Sequence, residues 1–204
     1  MRSVANFQLE HFRNIRVVDE KARKEFVSFV DIESEEKLQA GLTEILPEAG
    51  FYGEETGKHG NQDLVWIVDP IDGTTNFINS SLIHAVSVAA LFRGVPVAAA
   101  MWIPWSNDEG HLLMHARKGQ GAWIGDTKMS VCPATPTGVP IAGVHSAAPR
   151  WFRRVFEVEK PLEGNLGEFR DGGSACYELF MVARGFMQYA ITGPAWTWDF
   201  AAGT

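Results

Sequence analysis

The sequence predicts a mixed α/β (α+β) fold, with helices before and after a central antiparallel sheet. Apolar residues recur at helical spacing in the first 46 residues, and apolar runs separated by turn residues fill positions 64–116. A length of 204 residues and an apolar content of 46% allow a sizeable core. We expect one compact unit with two halves, residues 1–135 and residues 136–204.

Two helices are predicted at the start of the chain. The apolar face of the first extends to residue 18 and consists of Phe7, Leu9, Phe12, Ile15 and Val18. The second helix has Asp31 at its start, and Pro47 ends it.

The middle of the chain predicts strands. A short strand at 50–53 ends before Glu54, and a buried strand at 64–68 ends at Asp69. Further strands are predicted at 86–92, 95–103 and 111–116, and Arg93-Gly94 between the first two favours a hairpin. This pattern is typical of an antiparallel meander.

The last third of the chain predicts alternating elements. A Pro/Thr-rich segment at 133–140 favours a connection between the two halves. Strands are predicted at 141–144 and 186–191, and helices at 151–158 and 174–183. The sequence from Trp198 onward indicates the start of another helix.

Composition excludes several classes of function. The net charge of −7 argues against a nucleic-acid surface. No apolar run is long enough to span a bilayer, and the N-terminus lacks the apolar core of a secretion signal. Cys132 and Cys176 lie far apart without metal-type spacing, which favours a reducing, cytoplasmic location.

An acidic turn follows the buried strand at 64–68. Asp69 and Asp72 lie three residues apart across a turn stiffened by Pro70, which can direct both carboxylates at one point. Gly73 allows close approach of a ligand, and Thr74 can begin a helix whose N–H groups favour an anion. An ordinary turn and helix cap would account for the same residues.

Other acids also lie at the edges of predicted elements: Asp31, Glu54, Glu55 and Asp199. Each is commonplace alone, as a helix cap or a solvated charge. Placed together, such carboxylates repel one another, and a divalent cation would offset the repulsion. An all-oxygen set of ligands without His or Cys favours Mg²⁺.

Three segments resemble the signature motifs of the inositol monophosphatase family, which comprises Mg²⁺-dependent, lithium-sensitive phosphatases. They are Gly53-Glu54-Glu55, the segment from Asp69 to Phe77, and the segment from Trp198 to Gly203. Residues 27–31 and 173–175 resemble two further family segments. The resemblance implies a layered αβαβα sandwich of the sugar-phosphatase type, usually a homodimer.

The resemblance also implies the metal ligands. Glu54, Asp69 and the Ile71 carbonyl would hold one Mg²⁺. Asp69, Asp72 and Asp199 would hold a second. Two or three ions are expected in all, with inhibition by lithium.

The same resemblance implies roles in catalysis and in substrate binding. Glu55 would orient a water molecule that can serve a third, weaker ion site. Thr74, hydrogen-bonded to Asp31, would position the attacking water. The N–H groups of Gly73 and Thr74 would bind phosphate. The expected lining of the substrate pocket is Gly173, Ser174 and Ala175.

One residue of the sequence leaves the identity of the substrate open. Inositol-cleaving relatives have a Glu seven residues before the last aspartate, and this chain has Thr192, which cannot make the same charge-assisted contact. We expect a small phosphorylated metabolite: an inositol phosphate or a related polyol or sugar phosphate, histidinol phosphate, or a 3′(2′),5′-bisphosphate nucleotide. Trp196 and Trp198 adjoin Asp199, and we expect one of them to border the pocket.

Relatives of this family continue beyond the last motif for roughly one further helix, strand and helix. We therefore expect this chain to be truncated at its C-terminus and clipped at its N-terminus. A non-catalytic relative that binds metal and phosphate is an alternative hypothesis.

Overall fold

A computed structural model describes residues 1–14, 18–22, 25–132, 140–144, 168–193 and 195–204. It confirms the mixed α/β class. The helices are α1 (Arg2–His11), α2 (Phe29–Ile45), α3 (Thr74–Ile78), α4 (Ala175–Ala183) and α5 (Thr197–Phe200). The first ten strands are β1 (Val18–Ala22), β2 (Glu25–Ser28), β3 (Gly50–Gly53), β4 (Gly57–His59), β5 (Leu64–Asp72), β6 (Ala85–Phe92), β7 (Val95–Pro104), β8 (His111–Arg117), β9 (Gly121–Ile124) and β10 (Thr127–Lys128). The others are β11 (Ile141–Val144), β12 (Glu168–Arg170) and β13 (Tyr189–Ile191).

The central sheet has eight strands in the order β10-β9-β8-β7-β6-β5-β3-β4. The predicted meander is present, because every pair from β5 to β10 is antiparallel. Only the pairing of β3 with β5 is parallel in this sheet. Both Arg93 and Gly94 have positive φ, as a tight hairpin between β6 and β7 requires.

Helices cover both faces of this sheet. On one face, Val4 of α1 and Leu38 of α2 pack with Phe51 and Val68. On the other face, Phe180 of α4 packs in the core cluster of Ile67, Met101 and Ala201. A three-stranded parallel sheet, β12-β11-β13, lies beside α4.

The prediction for the first helix is wrong at its end. Helix α1 stops at His11, and Val18 begins a strand. The residue after the helix, Phe12, is extended, and Arg13 has a positive φ. The side chain of Phe12 packs on the ring of Phe77, so its apolar character serves a tertiary contact rather than a helix face.

Two other expectations change or lie outside the described residues. The predicted strand at 186–191 is shorter, Tyr189–Ile191. The helix predicted at 151–158, most of the connection at 133–140 and the division at residue 135 fall outside the described residues. That division stays a prediction. Within the described ranges, no helix is long and apolar enough to cross a membrane.

Gln8 ties α1 to the strand that carries the acidic turn. Its side chain is fully buried, and Nε2 donates to the Pro70 carbonyl at 2.8 Å and to Ser34 Oγ at 3.0 Å. A buried carbonyl that loses its donor carries the full cost of its desolvation.

We expect Gln8→Ala to lower the free energy of unfolding by about 1–3 kcal/mol, because the Pro70 carbonyl loses its partner. Urea denaturation followed by circular dichroism measures this change. Asn6→Ala, at an exposed position of the same helix, is the matched control. Equal stability of the two variants would contradict the assigned role of Gln8.

Candidate metal centre

Strand β5 delivers two carboxylates to one place. The strand is buried from Val68 to Asp72, and its pairing with β6 is irregular between Asp69 and Asp72. Pro70 lies in this irregularity, where its missing N–H costs no ladder hydrogen bond. The strand is therefore irregular at the segment that carries the two aspartates.

Helix α5 brings a third carboxylate to the same place. One carboxylate oxygen from each of Asp69, Asp72 and Asp199 lies within 4.8 Å of the others. Glu54, which follows β3, hydrogen-bonds to Asp69. The structure thus brings together the four acids that the sequence predicts as metal ligands.

The electrostatics of this cluster are unfavourable for a free carboxylate. Burial raises the pKa of Asp69 well above its usual range, and the charges of Glu54, Asp72 and Asp199 raise it further. Asp69 Oδ1 is buried and has no hydrogen-bond partner among the described residues. A buried oxygen without a donor, next to other oxygens, suits a cation.

Hydrogen-bond donors behind the cluster hold two of the acids. Asp72 Oδ2 accepts from Ser174 Oγ at 2.6 Å and from the Cys176 amide at 2.5 Å. Ser174 also caps α4, since its Oγ accepts from the Tyr177 amide. Asp199 Oδ2 accepts from the Trp196 amide at 2.7 Å. The starts of α4 and α5 therefore fix the positions of these carboxylates.

Glu35 is a residue of the site that the sequence interpretation missed. It is fully buried on α2, and its two carboxylate oxygens accept from the amides of Glu55 and Thr56 at 2.9 and 2.7 Å. It thereby fixes the loop that carries Glu54. A signal was present, because Glu35 falls on the buried face of α2 with Leu38 and Leu42.

The Asp31–Thr74 pair lies beside the irregular segment of β5. Thr74 Oγ1 lies 3.0 Å from both Asp31 Oδ1 and the Ile71 carbonyl. Asp31 is buried, and its Oδ2 accepts from the amide and hydroxyl of Ser28. The Thr74 hydroxyl has one proton for these acceptors, and its lone pairs can accept a hydrogen bond from a water molecule.

Two glycines let backbone segments approach each other near Asp72. Gly73 has a φ of 93°, and a Cβ there would lie 3.1 Å from both the Ile83 carbonyl and the Ser174 Cβ. Gly173, with a φ of 70°, packs on the side chain of Asn76. Asn76 was also missed, and its Nδ2 lies 2.7 Å from the carbonyls of Ile83 and Gly172.

The remaining predicted residues are placed as follows. Ala175 is buried at the first position of α4. Glu55 is half-buried in the loop that Glu35 holds. Thr192 is half-buried and follows directly on β13. The functional roles assigned to these residues and to the predicted ligands stay predictions.

Two nearby groups, Cys176 and His84, are uncharged near neutral pH. The Cys176 thiol is buried, and this burial and the charge of Asp72 raise its pKa well above the usual value. Burial lowers the pKa of His84 to about 4. The His84 ring packs among Phe12, Phe77 and Trp102. Both groups are therefore neutral parts of the packing.

Glu178 is a buried acid within the segment that supports Asp72. Its Oε1 accepts from the Gly172 amide at 2.9 Å, whereas Oε2 is buried and without a partner in the described structure. Burial raises its pKa to about 7, and the charges of Asp171 and Asp72 contribute in the same direction. An acid in an otherwise apolar helix was the sequence signal for this position.

The fold and the cluster define a class: an α/β protein with a cluster of carboxylates, suited to a cation, where β5 ends. The chain belongs to the inositol monophosphatase family, whose sequence model matches residues 2–204. This result agrees with the resemblance of its three motifs.

Individual relatives carry two kinds of name. The chain is 31% identical to a fructose-1,6-bisphosphatase/inositol-1-monophosphatase of Aquifex aeolicus, over 91% of this chain and 70% of that protein. It is 33% identical to an inositol-1-monophosphatase of Caulobacter vibrioides, over 91% and 73% of the two chains. It is 30% identical to a Nus factor SuhB of Xylella fastidiosa, over 99% and 74%.

Solved structures share the fold. A suhB protein of Bartonella henselae superposes with a TM-score of 0.81 at 28% identity, over 99% of this chain and 77% of that one. An IMPase of Thermotoga maritima superposes with a TM-score of 0.84 at 24% identity, over 100% and 77%. These matches confirm the predicted sandwich-type fold.

We expect Glu178→Gln to change how stability depends on pH. The folded pKa of Glu178 is about 7 against 4.5 for an ordinary Glu, so the unfolded chain binds fewer protons between these values. The stability of the unmodified protein therefore falls as pH rises through this window. The variant lacks this slope and is more stable at high pH by roughly 2–3 kcal/mol.

Chemical denaturation at a series of pH values, with a chelator present, measures this difference. Glu44→Gln, at an exposed position of α2, is the matched control. Parallel curves for the variant and the unmodified protein would contradict a raised pKa at Glu178.

We expect Asp69→Asn to stabilise the metal-free protein. The substitution removes a desolvated charge that three other acids repel, and relief of this kind at functional sites yields about 0.5–2 kcal/mol. Thermal unfolding with a chelator at about pH 8 measures it, because a higher pH favours the ionised form that the substitution removes. Asp63→Asn, an exposed position just before β5, serves as control. A lower unfolding temperature for Asp69→Asn would be the contrary result.

Proposed function

We propose that this chain is a metal-dependent phosphomonoesterase that hydrolyses a small phosphate ester. The carboxylate cluster is the observation that carries the proposal: three carboxylate oxygens lie within 4.8 Å, around a buried Asp69 oxygen without a donor. Family membership supports a phosphatase, and the relatives from Aquifex and Caulobacter are named as phosphatases.

The donor set fits Mg²⁺. Its ligand atoms are carboxylate oxygens, with no His or Cys among them, which is the preference of a small, hard cation. Glu54, Asp69, Asp72, Asp199 and the Ile71 carbonyl would hold two ions. When bound, such ions stabilise the charge on a phosphate ester and make a water molecule more acidic. Glu55 and a third ion, and inhibition by lithium, belong to the same proposal.

The protein side chains would supply positioning. Thr74 would accept a hydrogen bond from the attacking water while its own hydroxyl donates to Asp31, and the hydrogen bonds from Ser28 hold Asp31 in place. The backbone N–H groups of Gly73 and Thr74, at the start of α3, would bind phosphate. Positioning of this kind is most of what phosphoryl transfer requires from a protein.

The start of α4 would contact the substrate. Gly173, Ser174 and Ala175 lie directly behind Asp72, and Ser174 hydrogen-bonds to it. Thr192 lies at the end of β13 as a neutral hydroxyl. The substrate classes in this proposal are inositol phosphate or a related polyol or sugar phosphate, histidinol phosphate, and a bisphosphate nucleotide. A homodimer in the cytoplasm is also proposed from the family resemblance.

The test is Mg²⁺-dependent release of phosphate from glycerol 2-phosphate, and then from inositol 1-phosphate, histidinol phosphate and 3′-phosphoadenosine 5′-phosphate. Asp69→Asn is expected to reduce the rate by about a hundredfold or more, because it removes a carboxylate that would hold the ions whose charge stabilises the transition state. Asp63→Asn should retain the rate.

Calorimetric titration with Mg²⁺ alone separates the alternatives. Binding without release of phosphate from any ester would support the non-catalytic relative instead. Absence of both binding and release would contradict the proposed cation site.

A further inference from the structure

An aromatic column stands beside the carboxylate cluster. The column consists of Trp196, Trp198 and Tyr52. The indole rings of Trp196 and Trp198 stack, with centroids 5.3 Å apart and planes 14° apart. Trp198 meets Tyr52 edge-on at 5.2 Å, and Lys58 Nζ lies 4.5 Å from the centre of the Tyr52 ring.

The column is fixed to the elements that carry the cluster. The Trp196 amide donates to Asp199 Oδ2, so its ring lies within one side-chain length of that carboxylate. The Trp198 carbonyl accepts from Ser87 Oγ, and Ser87 pairs with Asp69 across β5 and β6. Tyr52 lies on β3, two residues before Glu54. All three residues are therefore tied to the elements that carry the cluster.

The outer end of the column is open. Trp196 is 62% exposed although Trp198 covers one face of its ring, so the opposite face is in solvent. A single exposed aromatic residue is ordinary on a protein surface. This ring differs because a stacked indole supports it and because its own backbone holds a carboxylate of the cluster. A supported ring loses little conformational freedom when a flat ligand stacks on it.

We propose that Trp196 is a specificity-determining residue that stacks on a planar ring in the alcohol part of the substrate. The substrate class is then a phosphate ester whose leaving alcohol carries a heteroaromatic ring, either a nucleobase or an imidazole. This inference rests on the proposed phosphatase function. It separates the ring-bearing esters from the polyol and sugar phosphates, which carry no aromatic ring.

The kinetic experiment compares two esters that differ only in the ring. Adenosine 5′-monophosphate and ribose 5-phosphate share the ester, and only the first has a base; histidinol phosphate tests the imidazole. Trp196→Ala should raise KM for the two ring-bearing esters about ten- to a hundredfold, with kcat little changed. The KM and kcat of Trp196→Ala for ribose 5-phosphate should equal those of the unmodified protein. Trp196→Phe should keep most of the preference for the ring-bearing esters.

The binding experiment is independent of turnover. Adenosine and histidinol are the alcohols of the two ring-bearing esters and carry no phosphate group. In the presence of a chelator, each should quench the tryptophan fluorescence of the unmodified protein. The quenching should be far smaller in Trp196→Ala. Phe92→Ala, an exposed aromatic residue at the hairpin between β6 and β7, should behave as the unmodified protein does.

The outcomes separate the two proposals. Quenching by the ring compounds without hydrolysis of any ester would contradict the phosphatase and support the stacking role. Equal effects of Trp196→Ala on adenosine 5′-monophosphate and ribose 5-phosphate, together with absent quenching, would overturn the stacking role. Sedimentation that shows a lost dimer in Trp196→Ala, with ring binding unchanged, would also overturn it and assign Trp196 to a subunit contact.

Discussion

Mutual repulsion among buried carboxylates is the constraint on which the rest of this structure depends. Asp69 lies at the centre, and each neighbouring acid makes its ionised form less favourable. A domain of this size has a net stability of only about 5–15 kcal/mol, so such a cluster must be supported from behind. The support comes from donors at the starts of α4 and α5, which hold Asp72 and Asp199. The packing of these helices on the sheet therefore serves the cluster directly.

The groups around the cluster add little further charge. The pKa of Cys176 is raised and that of His84 is lowered, so both are neutral near neutral pH. Glu178 has a pKa of about 7 and is neutral in a large share of molecules there. Ser174, between them, donates to Asp72 without a charge of its own. Cys176, His84 and Ser174 thus add no negative charge to that of the surrounding acids, which attract a cation.

Local patterns in the sequence predicted the strands and the acids, whereas tertiary contacts decided the rest. The meander followed from apolar runs and from the turn at Arg93-Gly94. The end of α1 did not follow from a local pattern, because Phe12 packs on Phe77, which lies far along the chain. The parallel pairing of β3 with β5 is equally non-local. The partners of Glu35 and Asn76 are backbone groups of other segments, so a local pattern can mark Glu35 as buried but does not identify what either side chain holds.

Backbone donors hold much of this site, and that has a consequence for specificity. The amides of Trp196, Cys176 and Glu55 make hydrogen bonds that do not depend on the side chains of those residues. The ring of Trp196 can therefore change while its amide still holds Asp199. In the proposed enzyme, cation binding would depend on the folded backbone, and recognition of the alcohol would depend on side chains near the cluster. A family that keeps its metal ligands can in this way vary its substrates without rebuilding the cluster.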